Sequence, residues 1–129
     1  MISFKEMQLS DEIHSKLDDL EIGFAFQPIF RLKDMYLIGY EALMRPKDKS
    51  PLELIEEYSV KGDLHTVELA TLFGAWEAYR RRGYNTLLSL NPFPEECMTD
   101  EEEKVFHDSF PESQLNMVLE ILEHTKLNV

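Results

Sequence analysis

A chain of 129 residues, 43% of them apolar and 29% charged, fits one folded domain with a real core and is too apolar for a disordered segment. Its net charge of −12 excludes a DNA- or RNA-binding role, because contact with a polyphosphate needs a basic surface. A small anionic ligand stays open, since a bound cation and one well-placed arginine reverse the local field inside a cleft. The apolar runs are far too short to span a bilayer, and the stretch MISFKEMQLSDE has no signal-peptide pattern. Cys97 is the single cysteine, so no internal disulfide forms and a reducing cytoplasm is the expected setting.

In chain order, Ser10 to Leu20 reads as a short helix, with Ser10 as N-cap and Asp11 and Glu12 in the first turn. Strand Phe24 to Phe30, a turn around Lys33-Asp34 and strand Tyr36 to Met44 follow, joined so closely that an antiparallel hairpin is expected. Ser50-Pro51-Leu52-Glu53 has the form of a capping box with proline at the first helical position, opening a helix that ends near Gly62. Asp63 caps the next helix, whose Leu69, Leu72, Phe73 and Trp76 share one face; Arg80-Arg81-Arg82-Gly83 closes it.

Strand Thr86 to Asn91 comes next, then a loop at Asn91-Pro92-Phe93-Pro94, where two prolines forbid either regular element. A helix opens at Thr99-Asp100-Glu101-Glu102, and Asn116 to Glu123 is the last strand. Alternation of helix and strand after the hairpin predicts a parallel α/β architecture. His14, His65, His107 and His124 lack metal-site spacing and are expected at surfaces or caps.

Three oxygen-bearing side chains interrupt or end apolar strands: Glu41 after Met35-Tyr36-Leu37-Ile38-Gly39-Tyr40, Asn91 after Thr86-Leu87-Leu88-Ser89-Leu90, and Glu120 within Met117-Val118-Leu119-Glu120-Ile121-Leu122. A lone glutamate in such a run is costly to desolvate unless paired, and three hard oxygen donors at strand ends suit magnesium or manganese. Each has a plainer alternative: Glu41 turned outward, Asn91 capping the turn before Pro92, and Glu120 half-exposed near a sheet edge. Arg45 lies four residues after Glu41 and so shares its strand face; its donor fork suits a phosphate oxygen, the alternative being a surface ion pair. Gln27 either lines the same cavity or is solvated at the strand end.

Gln27-Pro28-Ile29, Gly39-Tyr40-Glu41-Ala42-Leu43-Met44-Arg45, Leu90-Asn91 and Leu119-Glu120-Ile121-Leu122-Glu123, in this order and spacing, resemble the first half of an EAL domain. That family hydrolyses cyclic di-GMP, and Glu41-Ala42-Leu43 corresponds to the triplet that names it. The resemblance implies a partial TIM-like (β/α) barrel with an antiparallel first hairpin, residues 1–22 being a helical lead-in and 23–129 the partial EAL domain. It also implies Glu41, Asn91 and Glu120 as ligands of Mg2+ or Mn2+, with Gln27, Arg45 and Leu43 on the substrate side. Leu122 departs from the family, which commonly has threonine there, and Asn91-Pro92-Phe93 is looser than the usual block.

A complete barrel of this type takes about 250 residues. A later paired-aspartate motif and a lysine, which the family uses for a second metal and the attacking water, have no counterpart after Glu123. The chain alone is therefore expected to be inactive as a phosphodiesterase. Three readings follow: part of a phosphodiesterase, a regulatory half-domain completed by a second copy or a complementary chain, or a sensor that binds cyclic di-GMP without cutting it.

Overall fold

The computed structural model describes residues 1–90, 98–113 and 117–119. Asn91, Cys97, Glu120, Leu122, Glu123 and His124, on which several sequence readings fall, lie outside the described residues.

Strand β1 (Ile2–Ser3) leads through a 3-10 turn (Phe4–Glu6) to helix α1 (Asp11–Leu17), and then to strands β2 (Glu21–Arg31) and β3 (Tyr36–Pro46). Helices α2 (Pro51–Val60) and α3 (Leu64–Arg81), strand β4 (Leu87–Leu90), helix α4 (Asp100–Ser109) and strand β5 (Met117–Leu119) complete the order. The five strands form one sheet in sequence order. β1, β2 and β3 pair antiparallel; β3–β4 and β4–β5 pair parallel. The fold is mixed α/β, a partial (β/α) barrel that opens with an antiparallel hairpin, as the sequence predicts.

Local chemistry sets the element ends. At α2, Ser50 Oγ accepts from Glu53 N at 3.1 Å while Ser50 N donates to Glu53 Oε1 at 3.0 Å, the reciprocal pair of a capping box. Thr99 and Glu102 make the same pair at α4. The chain leaves α2 through Gly62 at φ 71°, a left-handed position that glycine occupies without penalty.

Several expectations need adjustment. The first helix stops at Leu17, with Leu20 N donating to Leu17 O, rather than running on to Leu20. Asp63 precedes α3 but makes no side-chain bond to the helix backbone; its carboxylate accepts from Thr66 Oγ1 at 3.0 Å. The strands of the hairpin are longer than their apolar runs, since backbone pairing continues from Ile22–Pro46 to Arg31–Tyr36 regardless of side-chain polarity. β1 was not anticipated, because two residues are too few to show a period.

The helices bury one face of the sheet. Phe24, Phe73, Trp76, Tyr79, Leu88, Leu90, Phe106 and Phe110 are buried in one hydrophobic cluster together with Phe4, Ile13 and Leu17. Phe73 meets Phe106 edge-on at 5.2 Å, and Trp76 meets Tyr79 at 5.5 Å. Gly74 lets α3 approach the sheet: a Cβ there would sit 2.7 Å from the Phe24 ring. Gly39 does the same between strands, where a Cβ would sit 2.8 Å from the Leu87 carbonyl carbon and collide with its oxygen. Among the described residues no helix is long and apolar enough to cross a membrane.

Candidate functional site

Side chains alternate across a strand, so the contacts of one residue set the face of its neighbours. Met44 lies against Thr71 of α3, Phe24 against Gly74, and Phe26 and Tyr40 against Tyr79. These residues, with buried Ala42, are the helix-covered face of the hairpin. The intervening residues Ala25, Gln27, Glu41, Leu43 and Arg45 therefore emerge on the opposite face.

Register brings three of the polar residues of that face into one row. Gln27 on β2 is the direct antiparallel partner of Glu41 on β3, and Ser89 on β4 is Glu41's parallel partner. Strand spacing places neighbours in such a row about 4.8 Å apart. Glu41 is half-buried and Gln27 exposed, while Ser89 is only 5% exposed, between Leu88 and Leu90, which are wholly buried. Neither Glu41 nor Ser89 is without a partner.

Arg45 stands on the same face, about 13 Å further along β3 at the strand's usual rise. It is exposed, and its Nη1 donates to the Met44 carbonyl at 2.9 Å. Because β3 and β4 run parallel, Arg45 and Leu90 mark the same, C-terminal end of the sheet, the end where α/β barrels carry their sites. Leu43 is half-buried opposite Ala25 and gives this face its apolar element. The structure thus brings Gln27, Glu41, Leu43 and Arg45 onto one face; Asn91 and Glu120 lie outside the described residues.

Among the described residues, no three His, Cys, Asp or Glu side chains converge as a metal-binding group. The row still has the donor chemistry of a hard cation: one carboxylate flanked by a carboxamide and a hydroxyl, all oxygen-bearing. Glu41 would hold such an ion as one ligand among donors from outside the row and water. Ser89 is the member of the row that sequence reasoning missed. The signal was present, since Ser89 has the parity of Asn91 in a strand otherwise made of leucine.

The histidines do other work. His14 bonds the Met7 carbonyl and Asp18, both at 2.9 Å, tying α1 to the turn before it. His65 Nε2 meets Glu102 Oε1 at 2.7 Å, and Lys16 Nζ meets Glu102 Oε2 at 3.1 Å. This carboxylate, 4% exposed, joins α1, α3 and α4. Burial raises its pKa, but the bonds from the Thr99 backbone N–H, His65 and Lys16 outweigh that and hold it below the usual carboxylate value.

A cleft of about 400 Å³ lies beside the end of β3, lined by Leu20, Glu21, Pro46, Lys49, Leu54 and Tyr58 among others. It holds none of the predicted site residues, and the ion pairs Lys47–Glu21 and Lys49–Glu57 neutralise both of its lysines.

Among solved structures, the chain is similar to a standalone versatile EAL protein from Vibrio cholerae O395 in its c-di-GMP bound form. The two share 22% identity at a TM-score of 0.65, over 78% of this chain and 44% of that one. The chain therefore spans less than half the length of that protein, and the likeness is one of fold. No protein-family description and no curated protein matches the sequence. The partial barrel with its leading hairpin is the fold of part of that EAL protein.

Proposed function

We propose that the sheet face turned away from the helices is one wall of an EAL-type site, which binds cyclic di-GMP together with a divalent cation. The observation that carries this reading is the alignment of Gln27, Glu41 and Ser89 in one register row, on a fold shared with a protein solved with c-di-GMP bound.

Glu41 is the cation ligand within the row, and the resemblance adds Asn91 and Glu120. Mg2+ or Mn2+ suits these donors and, when bound, would polarise a phosphodiester and acidify water. Arg45 takes a phosphate oxygen, where its fixed fork makes two parallel bonds. Gln27 hydrogen-bonds the ligand or its water, and Leu43 supplies the apolar contact. Hydrolysis is the activity the resemblance implies; binding is what these residues support on their own, because the row holds a single carboxylate.

The test is calorimetric titration of the chain with cyclic di-GMP, with and without Ca2+, a hard cation expected to support little turnover. Saturable binding strengthened by Ca2+ is expected. Arg45→Ala should weaken it by about tenfold or more, the worth of a charge-assisted hydrogen bond. A folded chain that binds no dinucleotide, or binds it equally well without Arg45, would contradict the proposal.

One observation favours a second reading, a partner-binding regulatory module. The hairpin runs past its β4 neighbour, which pairs β3 from Gly39 onward, and it exposes Phe30, Leu32, Met35 and Tyr36. Exposed large apolar groups on a projecting ribbon suit a protein contact. On this reading, size-exclusion chromatography with light scattering shows a defined oligomer without ligand; a strict monomer counts against it.

A further inference from the structure

We infer that the outer edge of β2, from Gly23 to Gln27, is a docking site for an extended acidic segment of a partner protein. The segment adds to the sheet as a strand and sets its carboxylates against Arg81 and Arg82. Such docking uses the edge of the sheet, not its open face, and is independent of the dinucleotide reading above.

Backbone register opens this edge. Lys47 N donates to Glu21 O at 3.0 Å, and these two residues continue the register in which Ile22 faces Pro46. Bonded positions alternate along an antiparallel pair, so the odd positions of β2 bond to β3 and the even ones turn to the other edge. There Ile22 is matched by Ile2, but β1 reaches no further than Glu21 and Ile22. Among the described residues, no strand covers that edge beyond Ile22. Phe24 and Phe26 each present a free N–H and C=O there, about 6.8 Å apart along the strand. Pro28 has no N–H, and the register shifts between Ile29 and Phe30; both features discourage pairing further along. The receptive length is short and defined.

Charge selects what pairs there. The chain has a net charge of −12, yet a cavity of about 190 Å³ beside this edge is lined by Arg81 and Arg82 and, among the described residues, by no carboxylate. Ile2 and Phe24 give it an apolar floor. Both arginines are exposed. Arg81 bonds Glu77 through Nε at 2.8 Å, which leaves its terminal nitrogens as donors. Arg82 makes no ion pair among the described residues, and its guanidinium lies 5.3 Å from the centre of the Phe26 ring. An aromatic face steadies a guanidinium while its N–H groups stay directed outward in plane. Held beside a strand position with free backbone groups, it matches a carboxylate on an adjoining strand. A simple anion fits poorly, because the outward carbonyls of Phe24 and Phe26 repel it. An extended peptide supplies both N–H groups for those carbonyls and carboxylates for the arginines.

The experiment measures fluorescence anisotropy of a labelled, end-blocked Val-Glu-Val-Glu-Val peptide, whose glutamates share one face when extended. Saturable binding to the 129-residue chain is expected. Arg82→Gln should weaken it by about tenfold or more at an unchanged melting temperature, the worth of a charge-assisted hydrogen bond. A Val-Lys-Val-Lys-Val peptide should not bind. N-methylation of one alternate set of peptide amides should abolish binding and that of the other set should leave it intact, because only one set faces β2. In the complex, amide exchange should slow at Phe24 and Phe26 and stay as it was at Ala25, which already bonds across to Leu43. Binding that survives Arg82→Gln, or that the lysine peptide shares, would overturn the role of the arginines. Equal binding of both N-methylated peptides would overturn strand addition. A folded chain that binds none of these peptides would overturn the docking site as a whole, whatever its behaviour toward cyclic di-GMP.

Discussion

The two faces of the central hairpin are made of the same backbone and differ only in parity. Phe24, Phe26, Tyr40, Ala42 and Met44 go one way and meet α3; Ala25, Gln27, Glu41, Leu43 and Arg45 go the other. The first set is held by burial, which is non-directional and tolerates no charge. The second set carries a carboxylate, a carboxamide and a guanidinium in a fixed order. Rigidity on one side is what gives positional meaning to polarity on the other, because a one-residue slip of register would exchange the two sets. Substitutions on the covered face should therefore change stability, and substitutions on the open face should change binding at nearly constant stability.

The largest loss of stability is expected from Phe73→Ala. This ring is wholly buried between Phe106 and Phe110, and its removal should cost about 3–5 kcal/mol in urea denaturation. A loss below about 1 kcal/mol would mean that α4 is not seated on α3 as described. Gly39→Ala comes next, at about 1–3 kcal/mol or somewhat more, because the added methyl meets backbone rather than a side chain that can turn away. An unchanged denaturation midpoint would contradict the close β3–β4 approach.

Glu41→Gln sharpens the contrast from the other side. Removing the charge but not the shape should abolish the Ca2+ enhancement of cyclic di-GMP binding, read by calorimetry, while leaving stability within about 0.5 kcal/mol. A large loss of stability would make Glu41 part of the scaffold instead.

The smallest effect is one of pH. Glu102 has its pKa depressed in the folded chain, so its contribution to stability is present above the ordinary carboxylate value and is lost as pH falls through the folded value. Glu102→Gln keeps a capping-box side chain but cannot titrate. Its denaturation midpoint should fall less steeply than that of wild type as pH drops below about 5, through and beneath the ordinary carboxylate value. Parallel pH profiles would remove Glu102 from the acid response.

What the sequence revealed follows the same division. The helix-covered face was legible because Leu69, Leu72, Phe73 and Trp76 repeat with the helical period, and the starts of α2 and α4 were legible because Ser50–Glu53 and Thr99–Glu102 are local signals. Glu41 and Arg45 could be placed on one face from alternation alone. Gly39 could not be read, because its need arises from the closeness of a strand almost fifty residues later. Glu102 is legible in the sequence only as part of the helix start Thr99-Asp100-Glu101-Glu102, although it is buried against Lys16 and His65 from two other helices. Such a network forms from tertiary neighbours and leaves no local pattern. Ser89 was overlooked for a different reason: small and embedded among leucines, it becomes chemically interesting only once register sets it beside Glu41.

The most direct test of the two-face account is amide NMR of the 15N-labelled chain during titration with cyclic di-GMP and Ca2+. Shifts should concentrate at Ala25 to Gln27, Glu41 to Arg45 and Ser89, with α3 and the hairpin tip around Leu32 to Met35 nearly silent. Shifts confined to the hairpin tip or to the cleft between Pro46 and Tyr58, or none in a folded chain, would contradict the assignment of the open face as the binding wall.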